Sequence, residues 1–168
     1  LQSSISKYYC DSCIFIDFLD DCPKASDPEG LEKHKRAFDL FKRAQRRELS
    51  VYTSTFTLAE VCKFKPTEGI SNDDQEERIK ALFSQRWILK INYERKIAEI
   101  SRGLSRQLGI KPHDSIHLAS ALRMDADFLY TTDKRFLKKA IRYTEADTSR
   151  HLKVVYDPGF PIQGELHI

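Results

Sequence analysis

Long hydrophobic runs are missing from this chain of 168 residues. No apolar stretch approaches the ~20 residues needed to span a bilayer, so no membrane span is expected. The polar start, Leu1 to Lys7, is not followed by a long apolar region, so no secretory signal is expected either. The six glycines are scattered, and none builds a glycine-rich phosphate loop. No Ser, His and Asp stand in the context of a hydrolase triad. There is no internal repeat and no low-complexity tract. Cysteine is limited to Cys10, Cys13, Cys22 and Cys62. Cys10 and Cys13 have C-x-x-C spacing, but no second ligand pair for zinc appears, and neither Trp nor Pro lies within the pair as in a redox motif. The four are read as structural, and a reducing cytoplasm is the expected compartment. Charge of one sign is also lacking, since the net is only +3.

What is present is a globular mix, 40% hydrophobic and 32% charged. The length suits one domain over residues 1–168 and suffices to bury a core without staples. The core is expected over about 8–157. The tail, 158–168, reads as irregular because it holds Pro158, Gly159, Pro161 and Gly164. Basic residues cluster between Leu31 and Arg47. Lys33, Lys35, Arg36, Lys42, Arg43, Arg46 and Arg47 face only Glu32 and Asp39 there. Such an excess either attracts phosphates or is a solvated helix face.

Short β-prone runs alternate with helical periodicity. Strands are expected at Tyr8–Cys10, Val51–Ser54, Trp87–Ile91, Asp127–Tyr130 and Lys153–Tyr156. Helices are expected over Ser12–Asp21, from Leu31 to about Ala44, over Thr55–Lys63, after Asn72, from Ile97 to Leu108, after Asp114, and over Lys134–Arg142. Asn72 with Gln75 resembles a capping box, and Gly109 stands at a helix stop. This alternation predicts an α/β fold, a three-layer sandwich whose parallel sheet of four to five strands carries helices on both faces.

The stretch from Pro112 to Phe136 is central. Ile116, Leu118, Ala119, Ala121 and Leu122 make the helix after Asp114 apolar on nearly all sides, which predicts burial. Asp133 follows the next strand and precedes a basic helix. Either aspartate alone is explained by helix capping. However, Asp11 also ends a strand, and Glu60 lies in the helix after another. All three strand-associated acids fall on the side of the sheet where parallel folds bind ligands. Asp17, Asp20 and Asp21 read as solvated positions. Asp127 reads as a strand start at the opposite end.

Four segments then carry a resemblance: Tyr9-Cys10-Asp11-Ser12, Ser54 to Val61 around Glu60, Asp114 to Ala121, and Asp127 to Asp133 followed by Phe136. In this order and spacing the chain resembles the PIN domain family, and within it the VapC-type toxin ribonucleases. The segment 62–85 is long for a minimal toxin of that kind. The resemblance implies that Asp11, Glu60, Asp114 and Asp133 converge as catalytic and metal-binding residues. Ser12, Thr131 and His117 are implied to support them; His117 shares a helix face with Asp114, and a packed or supporting histidine is the plainer reading than a metal or acid–base role. Clustered carboxylates repel, and Mg²⁺ or Mn²⁺ relieves that cost. The implied reaction is hydrolysis of RNA by a cytoplasmic endoribonuclease, with the basic residues of 33–47 binding the backbone. Implied partners are the RNA substrate, a small antitoxin protein and a second copy in a homodimer. The competing expectations are a PIN-like nuclease acting on DNA or in RNA processing without an antitoxin, and a non-catalytic binding module.

Overall fold

The computed structural model describes residues 5–20, 27–65, 69–147 and 151–159. Cys22, Asp21 and the end of the tail, 160–168, lie outside these. Among the described residues the chain forms β1 (Lys7–Cys10), α1 (Ser12–Leu19), α2 (Pro28–Gln45), β2 (Ser50–Ser54), α3 (Thr57–Glu60) and α4 (Asn72–Phe83). There follow β3 (Ile88–Ile91), α5 (Arg95–Leu108), α6 (Pro112–Arg123), β4 (Phe128–Tyr130), α7 (Lys134–Ala146) and β5 (Lys153–Val155). The five strands are parallel throughout, in the order β3-β2-β1-β4-β5. The chain builds outward from β1 through β2 to β3, then crosses to the other side of β1 for β4 and β5. The strand order therefore reverses between β1 and β4, and beyond their C-terminal ends is where a parallel sheet of this kind has its ligand crevice.

Strand alternation explains the three layers. Tyr8 and Cys10 point to one face, where they meet Ile14, Phe15, Leu40, Phe41, Leu82 and Phe83. Tyr9 and Leu129 point to the other face, against Ile97, Leu104, Leu118, Ala119 and Phe136. Thus α1, α2 and α4 cover one side, and α5, α6 and α7 cover the other. Tyr9 is completely buried. Every residue of α6 from Ser115 to Ala121 is buried, as its all-round apolarity requires. No described helix is long and apolar enough to cross a membrane.

Several element ends differ from expectation. The helix after β2 is only Thr57–Glu60, not Thr55–Lys63. Val61 leaves the helical region (φ −83°, ψ 75°) and is buried, as is Phe64, so burying these two side chains wins over continuing the helix. The capping box of α4 is Ser71 with Asp74, one residue before the expected Asn72 and Gln75. Ser71 Oγ accepts from Asp74 N at 3.1 Å, while the Asp74 carboxylate takes the Ser71 N–H. α6 opens at Pro112, whose missing N–H costs nothing at a first turn, so Asp114 lies inside the helix. α7 runs four residues beyond Arg142. Gly109 ends α5 at φ +58°, the left-handed stop that its sequence position predicts.

Candidate functional site

Asp11 is the first residue after β1 and occupies the N-cap position of α1. Its side chain makes no capping bond to the α1 backbone. Its backbone N–H reaches Tyr130 O at 3.4 Å, which ties the ends of β1 and β4 together. Cys13 donates its thiol to Asp11 Oδ1 at 2.6 Å, and Thr131 adds a side-chain hydrogen bond. Burial pushes the Asp11 carboxyl above the ordinary carboxylate range; the charge of Glu60 adds to this, and His117, Cys13 and Thr131 oppose it.

Glu60 closes α3, and His117 meets it from α6. His117 Nε2 lies 2.6 Å from Glu60 Oε2, and its Nδ1 lies 3.0 Å from the Tyr9 hydroxyl. The imidazole is buried between them. Burial works to raise the Glu60 carboxyl, but the His117 hydrogen bond and charge and a hydrogen bond from Ser12 outweigh it, and the net shift is downward. The ring is both packed and a hydrogen-bonded brace for Glu60. Ser12 hydrogen-bonds Glu60 and Thr131 hydrogen-bonds Asp11.

Asp114 is the third residue of α6 and caps nothing. His113 Nε2 lies 3.3 Å from its Oδ1. Burial raises the Asp114 carboxyl; His113 opposes, and Asp133 raises it further. Asp133, just past β4, caps α7, with Oδ1 accepting from Arg135 N at 2.8 Å and Phe136 N at 3.0 Å. Its own N–H donates to Thr131 Oγ1 at 3.1 Å, so Thr131 joins the Asp11 and Asp133 loops. The charge of Glu60 thus acts on Asp11 and that of Asp133 on Asp114, and His117 acts on Asp11, Glu60 and Asp114. One buried ring links both pairs. Among the described residues, no three His, Cys, Asp or Glu side chains stand together so that they could hold a metal ion as they are. The donors at these positions are carboxylate oxygens, a set whose chemistry suits a hard cation retaining several waters.

Two readings need correction. Asp17 is not a solvated helix position. It is half-buried, its Oδ2 accepts from Thr132 Oγ1 at 2.8 Å, and burial lifts its carboxyl to about 6. Its i+6 relation to Asp11 across α1 gave no hint of this, because the partner comes from the loop after β4. Asp20 also works locally, accepting from Lys65 N at 2.7 Å. The second correction concerns the basic face of α2. The helix runs back against the strands, so its two ends lie at opposite ends of the sheet. Arg43, Arg46 and Arg47 adjoin the start of β2, where Arg43 acts on Tyr8. They stand at the far end from Asp11. Only the first half of α2 nears the crevice, where Lys33 acts on Asp17. Most of these cations are also answered by carboxylates: Lys33 by Glu29, Arg36 by Glu32 and Asp157, and Arg43 and Arg46 by Glu48. Lys42 lies over the Phe38 ring, and Lys35 and Arg47 are exposed. Asp127 does sit at the opposite end, accepting from Lys7 N at 2.7 Å. Cys10, Cys13 and Cys62 are free thiols.

The PIN domain family profile matches residues 8–142. The chain belongs to the PIN domain family. No curated protein matches it. Among solved structures it is similar to a toxin–antitoxin complex from Klebsiella pneumoniae, at 23% identity over 77% of this chain and 89% of that one, with a TM-score of 0.47. It is also similar to VapBC2 from Rickettsia felis bound to a DNA fragment from their promoter, at 15% identity over 89% of this chain and 98% of that one, with a TM-score of 0.51. The latter likeness supports the fold.

Proposed function

We propose that this chain is a single-domain, Mg²⁺- or Mn²⁺-dependent endoribonuclease, the toxin of a toxin–antitoxin pair. The observation that supports the reading is that Asp11 and Asp133 follow β1 and β4, the two strands at the reversal, while the charge of Glu60 acts on Asp11, that of Asp133 acts on Asp114, and His117 acts on Asp11, Glu60 and Asp114. Membership of the PIN family supports the nuclease class. The likeness to VapBC2 from Rickettsia felis motivates the antitoxin, while a homodimer rests on the family resemblance alone.

The chain's own residues divide the work. Asp11 and Asp114, held above the ordinary carboxylate range by burial, are the groups that gain most from a neighbouring cation. Glu60 is kept ionised by His117 and Ser12 and is oriented by the brace that Tyr9 completes. Asp133 offers its remaining oxygen while Oδ1 stays on the α7 backbone. A bound Mg²⁺ or Mn²⁺ would neutralise a phosphate and acidify a water for in-line attack. The test is cleavage of end-labelled RNA with Mn²⁺, with EDTA and Asp114→Asn as controls. Loss in both controls supports the reading, and cleavage that survives both refutes it. A DNA oligonucleotide in the same assay separates the RNA reading from a DNA-directed nuclease.

A further inference from the structure

Arg135, Lys138 and Arg142 form a stripe on α7 with no carboxylate partner among the described residues, whereas four of the seven cations of the α2 stretch have one and Lys134 of α7 pairs with Glu29. Lys111, Asp114, Arg135, Lys138, Lys139 and Arg142 line a groove of about 440 Å³ between the α5–α6 turn and α7. Five cations thus face one carboxylate, and that carboxylate belongs to the acidic site. Lys111 and the four α7 residues are exposed. Lys139 Nζ donates to Gly109 O, which pins α7 to the turn. Arg135, Lys138 and Arg142 make no ion pair among the described residues, in contrast with Lys33, Arg36, Arg43 and Arg46. Positions 135, 138, 139 and 142 share one helix face. From Arg135 to Arg142 the rise is about 10.5 Å, room for about two to three backbone phosphates. α7 starts beside Asp133, so this stripe begins at the site and leads away from it.

We propose that the α7 groove binds the phosphodiester backbone flanking the bond that is cut, so that the nucleic acid enters along Arg142, Lys138 and Arg135 and reaches Asp114. The proposal rests on the nuclease reading for its substrate, but its test does not need turnover. Fluorescence anisotropy of a labelled 12-nucleotide single-stranded RNA, in EDTA, is compared for the intact wild-type chain and two triple variants. One variant carries Arg135→Gln, Lys138→Gln and Arg142→Gln; the other carries Arg43→Gln, Arg46→Gln and Arg47→Gln. The α7 variant should bind at least ~10-fold more weakly, and its slope of log K against log salt should shrink by about 2, near 0.7 per lost contact on a single strand. The α2 variant should bind like wild type. A charge-keeping variant, Arg135→Lys with Arg142→Lys, should bind within about threefold of wild type, which separates charge from fold. Wild-type binding by the α7 variant, a greater loss in the α2 variant, or no binding by the wild type overturns the proposal. So does displacement of an acidic peptide, but not of RNA, by the α7 changes. A chain that binds through α7 yet cuts nothing would sink the nuclease reading alone.

Discussion

Replacing His117 with Leu removes the one ring that joins the two halves of the acidic site. The perturbation is nearly volume-conserving, so the cavity contribution is small. Two hydrogen bonds disappear, one to Glu60 at 2.6 Å and one to the Tyr9 hydroxyl at 3.0 Å. A bond to a charged partner contributes about 1.5–3 kcal/mol and a neutral one about 1 kcal/mol. Glu60 keeps 19% of its side-chain exposure, which places its share toward the lower end. The expected cost is therefore about 2–3 kcal/mol, or a fall of roughly 5–10 °C in Tm for a domain of this size. Thermal unfolding of His117→Leu, Tyr9→Phe and the double variant isolates the Tyr9 share, which should couple by about 1 kcal/mol. Function should respond too. The imidazole holds the Glu60 carboxyl down against burial, so its loss raises that pKa and moves the acidic limb of RNA cleavage to higher pH. A Tm within about 2 °C of wild type, with coupling under roughly 0.5 kcal/mol, would refute the brace.

Asp17→Asn should stabilise the protein at neutral pH. The folded carboxyl sits at about 6 against an ordinary 3.8, so the ionised form is disfavoured on folding, and wild type loses stability as pH rises from about 4 to about 6. Discounted for the side chain's remaining solvent contact, the gain is about 1–2 kcal/mol at pH 7 and near zero at pH 3.5; equal Tm differences at both pH values would contradict it. Asp133→Ala should cost about 1 kcal/mol through the lost α7 cap, whereas Asp133→Asn keeps a capping oxygen and should lose cleavage with little change in Tm. Cys13→Ala removes the donor to Asp11 Oδ1, so the Asp11 carboxyl rises further and the acidic limb of cleavage shifts up. Cys13→Ser should restore it, and a profile indifferent to both changes would dismiss the thiol.

The layers of the fold were legible because β1 and α6 carry unambiguous patterns. Tyr8-Tyr9-Cys10 alternates between two cores, and α6 is apolar on all sides. Asp11, Asp114 and Asp133 were legible as residues at strand and helix ends, and Glu60 as a residue of the helix after β2, although that helix ends at Glu60 itself. What joins them was not. The contact of His117 with Glu60 spans 57 positions, and that of Asp17 with Thr132 spans 115. Local periodicity carries no information on such distances. The basic stripe misled for a related reason. Composition counts cations in Leu31 to Arg47, but their answering carboxylates (Glu29, Glu48 and Asp157) lie outside that window. The shorter i, i+3, i+4, i+7 stripe on α7 was readable in the sequence, had helical phase been weighed above density of charge.

Titration of the metal-free protein with Mn²⁺, read by calorimetry and by the EPR signal of free Mn²⁺, tests most directly whether acids from four separate elements form one cation site. Saturable binding that falls at least ~10-fold in each of Asp11→Asn, Asp114→Asn and Asp133→Asn, with folding intact, is the expected result. Binding that is absent in the wild type, or unaffected by all three substitutions, would contradict the account.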